Sequence, residues 1–505
     1  MFSSLPRPPS SVSLLRLLPH KATLGGMLRS ALPSFVADLV FPDHKQTYRL
    51  HPTSYLDGLR GIASVIVFFC HYTEGNFSLL TRSYGLDPEK GDPGLIQAPY
   101  FRIIFSGRPM VHIFFIISGF VLSYKPIKAI HARDLEKCYT ALASSTFRRA
   151  FRLFGPCIAS TFIIMLLIQG GYMSHTRPWA EQLWNWKDVV FHQITWPWSW
   201  DFDLRPGYDI HLWTIPIEFA HSMLLFMVIL MLSRVRLRLR QAMTFGLMMY
   251  CLACGKWAGF EFLTGMFLAE IHVLQSAHNH AKEWESATGP LYTPRTRRTT
   301  MFRIAKFLLH FTIIMTGLFI GGWPNQDADK TPGIRWFLEK TPLPFATMDR
   351  LAPQKFWFGL SAAAIVWSVG EVGFLKRFFE GSLAQYCGRI SYAVYICHGP
   401  VLDVYHGRVL GRPGVPAQGE PGAPDFKAAV PGKGVKGFFG IDTPTQITLG
   451  WFVGLLFLGP LVIWAADVFW RAIDNPIVSL GKKMEEACLD DAEPSPRAQG
   501  YSPAA

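Results

Sequence analysis

The chain is short of charge. Lysine, arginine, aspartate and glutamate make up 17% of its 505 residues, against about a quarter in soluble domains. Half of the residues are hydrophobic and 14% are aromatic, which excludes an ordinary soluble globule and describes a polytopic membrane protein. No GxSxG element occurs, so the serine-nucleophile elbow of a strand–turn–helix hydrolase is excluded. The eight cysteines are scattered, with Cys70, Cys251, Cys254 and Cys397 inside apolar runs. They offer no disulfide framework and no zinc spacing. Cys251 and Cys254 form a lone CxxC within an apolar segment, where packing is the expected role, and no metal is expected. No acidic residue precedes Asp38, and residues 1–50 are rich in Ser, Pro, Arg and Leu with no signal-peptide core. They read as a disordered or surface-lying basic tail, with a transit peptide as the alternative. The two halves show no internal repeat of the kind many carriers have.

The formal net charge of +13 does not point to nucleic acid. The basic residues lie in short segments between apolar runs, as the positive-inside rule expects. Ten such runs are candidate spans: 55–74, 110–124, 154–173, 211–232, 242–255, 257–274, 302–322, 355–371, 385–405 and 446–470. Tyr100–Ser106 is available to lengthen the second. Ten spans put both termini on one side, and the loops with Arg148/Arg149/Arg152, Arg234–Arg240, Arg295/Arg297/Arg298 and Lys376/Arg377 fall on that side, which is therefore cytoplasmic. The expected fold is all-α, a membrane helix bundle over residues 51–480. A Gly/Pro-rich loop occupies 411–445, and a disordered polar tail follows from 481. Its first partner is the lipid bilayer, of the ER or of the plasma membrane.

Leu56–Tyr72, LDGLRGIASVIVFFCHY, carries two residues that lipid does not tolerate, Arg60 and His71. Eleven residues is about three helical turns, so both lie on one face, roughly 16 Å apart along the axis. Ionisable residues in a membrane helix face the bundle interior or a watery cavity. The stripe therefore marks an internal site, with Arg60 near its cytoplasmic mouth and His71 deeper. His211 and Glu218, seven apart in HLWTIPIEF, share a face of the fourth helix. Glu218 needs a partner: a salt bridge to Arg60 is one reading, and contact with a substrate or a histidine is the other. The ninth helix carries Arg389, Ser391 and His398, with Arg389 and His398 on opposite faces and Pro400 placed to kink the helix. Ser118, in ISGF, is a possible nucleophile, although Ser-Gly in a membrane helix more often permits close packing. Arg148, Arg149 and Arg152 sit at the cytoplasmic start of the third helix, where guanidinium forks suit a phosphorylated donor.

LDGLRGIA with its histidine eleven after the arginine resembles the Arg-X10-His pattern of the membrane-bound acyltransferase-3 family. FFIISGFVLS, FRRAFRLFGP, LWTIPIEF and ISYAVYICHGPV resemble four further motifs of that family, in order, over about residues 54–475. The resemblance implies about ten helices and transfer of an acyl group, usually acetyl from acetyl-CoA, to a hydroxyl of a sugar, an antibiotic or another natural product. It implies His71 as catalytic base with Arg60 in the same cavity, Arg149 and Arg152 near the donor, and Glu218 among the functional polar residues. His112 and the 411–445 loop depart from the pattern. A fungal-type, stand-alone member acting on small metabolites is implied, without an appended GDSL-like hydrolase domain. Direct transfer to an acceptor hydroxyl is the leading mechanism, and an acetyl-histidine intermediate is its variant. The rival class is a proton-coupled transporter, which would use the same intramembrane Arg, His and Glu residues.

Overall fold

In a bilayer every backbone N–H and C=O must find a partner within the protein, and an apolar run does so by closing on itself as a helix. That is the outcome in the computed structural model, which describes residues 32–40, 50–86, 94–173, 177–288, 297–408 and 443–489. The regular structure among these residues is entirely helical. Ten helices have 17 residues or more: α1 Ser54–Asn76, α2 Gly107–His131, α3 Leu135–Gln169, α4 Thr214–Leu232, α5 Leu237–Ala253, α6 Trp257–Thr288, α7 Arg297–Gly321, α8 Ala352–Val369, α9 Ser382–Arg408 and α10 Pro444–Phe469. Each candidate span of the sequence falls on one of them. Residues before Arg49 form a separate unit, in which the helix Ser34–Val40 is described. Most of the expected tails and most of the 411–445 loop lie outside the described residues.

Among the described residues five helices are long and apolar enough to cross a membrane, in α2, α3, α4, α7 and α10. A sixth span results if α8 is joined to Gly373–Phe379, from which it is bent by 96°. α1, α5, α6 and α9 fall short of that measure. Charge explains it for three of them, because α1 holds Asp57, Arg60 and Glu74, α6 holds Glu261 and Glu270, and α9 holds Arg389 and Asp403. α1 and α9 pack along each other, and a Cβ on Gly388 would come within 2.5 Å of the Asp57 carbonyl oxygen. Only a bare backbone allows that approach, the small-residue crossing of membrane helices. Arg60 faces Ser391, and the His71 ring stacks on that of His398, so the two helices run parallel. An even number of reversals separates them.

Several boundaries differ from the sequence reading. α3 starts at Leu135, not near 154, because Asp134 caps it by accepting from the Lys137 N–H at 2.9 Å. Hydropathy registers only the apolar part of this helix, so the arginines lie inside it and not at its start. The 99–105 segment makes separate short turns and does not lengthen α2. The α5–α6 break, by contrast, falls where the spans 242–255 and 257–274 put it, at Gly255, where φ is +70° and Lys256 N–H bonds to Cys251 C=O, the glycine C-cap that ends many helices. Within the Arg234–Arg240 run the last arginine turns inward. Arg240 is buried and bonds Glu270 through Nε (2.8 Å) and a terminal nitrogen (2.5 Å). Residues 481–488, expected in the tail, belong to a helix that spans Asn475–Cys488, and its Glu485 pairs with Arg148 at 3.0 Å.

Candidate active site

Three histidines from three segments meet at one end of the α1 stripe. His71 comes from the last turns of α1, His211 from the 3-10 turn Ile210–Trp213 that leads into α4, and His398 from α9. Ring centroids are 4.2 Å apart for His71–His211, 4.6 Å for His211–His398 and 5.2 Å for the stacked His71–His398 pair. Asp209 organises the turn. Its Oδ1 accepts from the His211 backbone N–H at 2.9 Å and from the ring Nδ1 at 2.7 Å. A carboxylate can only accept, so Nδ1 carries a hydrogen, and in the neutral ring it is Nε2 that presents a lone pair. Tyr395, one turn before His398, donates its hydroxyl hydrogen to the His211 carbonyl, and the Thr214 hydroxyl bonds Tyr395 at 2.6 Å. His398 Nδ1 donates to the Val394 carbonyl at 3.1 Å. His71 Nδ1 stands 3.6 Å from a carboxylate oxygen of Glu74, whose other oxygen accepts from Asn325 at 2.6 Å. The three side chains differ in access: His71 is 33% exposed, His211 14%, and His398 is fully buried.

α9 passes the cluster at Gly399. A Cβ there would sit 2.5 Å from His211 Nδ1 and 3.1 Å from Asp209 Oδ1. Gly399→Ala is therefore expected to push the Asp209–His211 pair aside and cut activity by about tenfold or more, since misplacement of about 1 Å costs up to about 100-fold. Initial rates at matched expression check this, and an unchanged rate would show that the pair tolerates displacement.

A second polar group occupies the other part of the interior. Arg149 is buried, and its guanidinium meets Glu218 Oε1 at 2.7 Å and the Ser222 hydroxyl at 2.9 Å. Ser118 donates to the same Glu218 oxygen at 3.0 Å. Arg60 bonds Ser391 (3.1 Å), the Gly388 carbonyl (3.3 Å) and Asp57 (3.2 Å). The Arg60–Glu218 salt bridge is thus not the one made, and Glu218 bonds to none of the three histidines. Ser118 is a hydrogen-bond donor to the Glu218 carboxylate and to none of the three histidines. Arg148 turns outward to Glu485, and Arg152 is exposed. His112 forms a separate buried pair with Glu261, at 2.5 Å.

Asp209 and Glu74 were not singled out from sequence. Their signal was local: each stands within one turn of a site histidine, where a carboxylate can reach an imidazole.

The acyltransferase domain family model Acyl_transf_3 matches residues 53–471. The O-acetyltransferase PaAT-1 of Phomopsis amygdali is 29% identical over 410 residues, 74% of this chain and 76% of that protein. Acyltransferase R4 of a Phoma species is 26% identical over 403 residues. Acyltransferase clz18 of Cochliobolus lunatus is 25% identical over 400. Each of these two alignments covers 68% of this chain and 82% of the relative. No solved structure matches the chain.

Proposed function

The chain belongs to the acyltransferase domain family, Acyl_transf_3, and from that premise we propose that it is a membrane O-acetyltransferase that moves acetyl from acetyl-CoA to a hydroxyl of a small natural product or carbohydrate, with His71 as general base. The observation that carries this reading is the three-imidazole cluster, in which His71 is the most accessible ring. The name of PaAT-1, an O-acetyltransferase, favours acetyl over longer acyl groups.

An alcohol is a weak nucleophile at neutral pH. His71 Nε2 takes its proton as the oxygen attacks the thioester carbon. The tetrahedral intermediate collapses, the C–S bond breaks, and CoA leaves with the proton returned from the imidazolium. His211, held by Asp209, and His398, held by Val394, pack against His71 and fix the plane of its ring. Arg60 stands about 16 Å from His71 along α1, so it belongs to the donor channel and not to the oxyanion. Arg149 and Arg152 line that channel, with Arg148 at its outer edge, and Glu218 keeps Arg149 in place. Acetyl-CoA is a cytosolic polyanion, so this end faces the cytoplasm and both termini lie there. The parallel run of α1 and α9 supports such a topology.

Membranes containing the protein, given labelled acetyl-CoA and a panel of hydroxylated acceptors, are expected to move label to an acceptor and release free CoA thiol only when acceptor is present. Acceptor uptake into vesicles without any need for acetyl-CoA would replace this reading with a carrier.

A further inference from the structure

In the histidine cluster each Nδ1 is turned to an oxygen: Asp209 at 2.7 Å, the Val394 carbonyl at 3.1 Å and Glu74 at 3.6 Å. Each ring is left with Nε2 to offer. His398 is fully buried, and its Nε2 has no hydrogen-bond partner among the described residues. One nitrogen from each ring lies within 4.8 Å of the other two. This is how metal-ligating histidines are held, with the second ring nitrogen donating to a carboxylate or a carbonyl that fixes tautomer and orientation. Nitrogens that share a tetrahedral zinc ion at about 2.1 Å each are about 3.4 Å apart, so closure asks for side-chain shifts of about 1 Å. The charge balance points the same way. Asp209 is 2% exposed and Glu74 stands beside His71. Arg108 approaches Glu74 only to 3.7 Å. Carboxylates withdrawn from water are costly without a compensating positive charge.

We propose that His71, His211 and His398 bind one divalent transition-metal ion, zinc foremost, and that the bound ion switches transfer off. Three imidazoles suit zinc, cobalt or nickel and not magnesium or calcium, which take oxygen ligands. The off-switch rests on the reading of His71 as the base: the lone pair that would accept the acceptor's proton is the one the metal takes, so the ion and catalysis exclude each other. No spacing in the sequence reveals the site, because the three ligands come from α1, α9 and the turn before α4.

The test uses the full chain, purified in detergent, stripped with a chelator and titrated with cobalt(II), then with zinc(II). A d–d absorption band saturating at one ion per chain and displaced by zinc is expected. The band should be lost in His211→Gln and in His398→Gln. Asp209→Asn, which keeps all three ligands, should weaken binding by about 10- to 100-fold. Size-exclusion profiles matching the parent protein guard against misfolded variants. Zinc at one equivalent should stop acyl transfer, and chelator should restore it. Absence of a saturable band, with transfer still dependent on His71, would overturn the metal site and leave the base reading standing. Transfer lost on stripping and recovered with zinc would overturn the off-switch and the His71 base together.

Discussion

His71→Ala is expected to lower the acyl-transfer rate by about 100- to 10,000-fold, the usual contribution of a positioned general base, while the bundle stays folded. Access singles out His71 among the three. Its side chain is 33% exposed, whereas His398 is fully buried and reaches an acceptor only through another ring. The same access makes the truncation mild for the fold. His71 fills no closed core position, and its Glu74 contact is long at 3.6 Å, so the loss of stability should stay within about 1 kcal/mol. The measurement is kcat with acetyl-CoA and a chosen acceptor, on protein whose size-exclusion profile matches the parent. Equal transfer by both forms would remove His71 from the chemistry and move the search to His211 and His398.

The helices were legible because lipid leaves the backbone few options, and every candidate span coincides with one of α1–α10. The α1 stripe was legible for the same reason: a spacing of eleven returns to the same face, and Arg60 and His71 do both meet α9. Periodicity places a residue on a face but does not choose its partner. The sequence offered Arg60 to Glu218, and the packing of α3 on α4 supplies Arg149 in its place. Helical spacing likewise divides the arginine trio. Arg148 and Arg149 point about 100° apart, so one meets Glu485 outside and the other Glu218 inside. The meeting of His71, His211 and His398 was out of reach, because all three contacts join segments more than a hundred residues apart. The polar extension of α3 was missed because hydropathy does not register a helix outside the membrane, and its Asp134 cap is a single residue.

Arg149→Ala should destabilise the bundle by about 3 kcal/mol, the lower end for removing one partner of a buried pair, because it strands a Glu218 side chain that is only 17% exposed. Glu218→Ala should cost a similar amount by stranding Arg149, and either loss is read as a lower melting temperature in detergent. That result alone does not separate a scaffold from a donor site, since a loosened bundle also loses activity. The double variant Arg149→Met with Glu218→Leu does. Well-packed apolar replacements of a buried ion pair are often neutral, so its melting temperature should return toward that of the parent. If the pair were scaffold only, activity would return with it. The donor role predicts that the KM for acetyl-CoA stays about 10- to 100-fold high, the equivalent of one or two charge-assisted hydrogen bonds to phosphate. Arg152→Ala completes the comparison. Arg152 is exposed, so its removal should shift stability by no more than about 0.5 kcal/mol. A rise in KM for acetyl-CoA in that variant can then come only from lost contact with the donor. If both the double variant and Arg152→Ala keep the parent KM, the phosphates of CoA bind elsewhere, and the α3 arginines are structural.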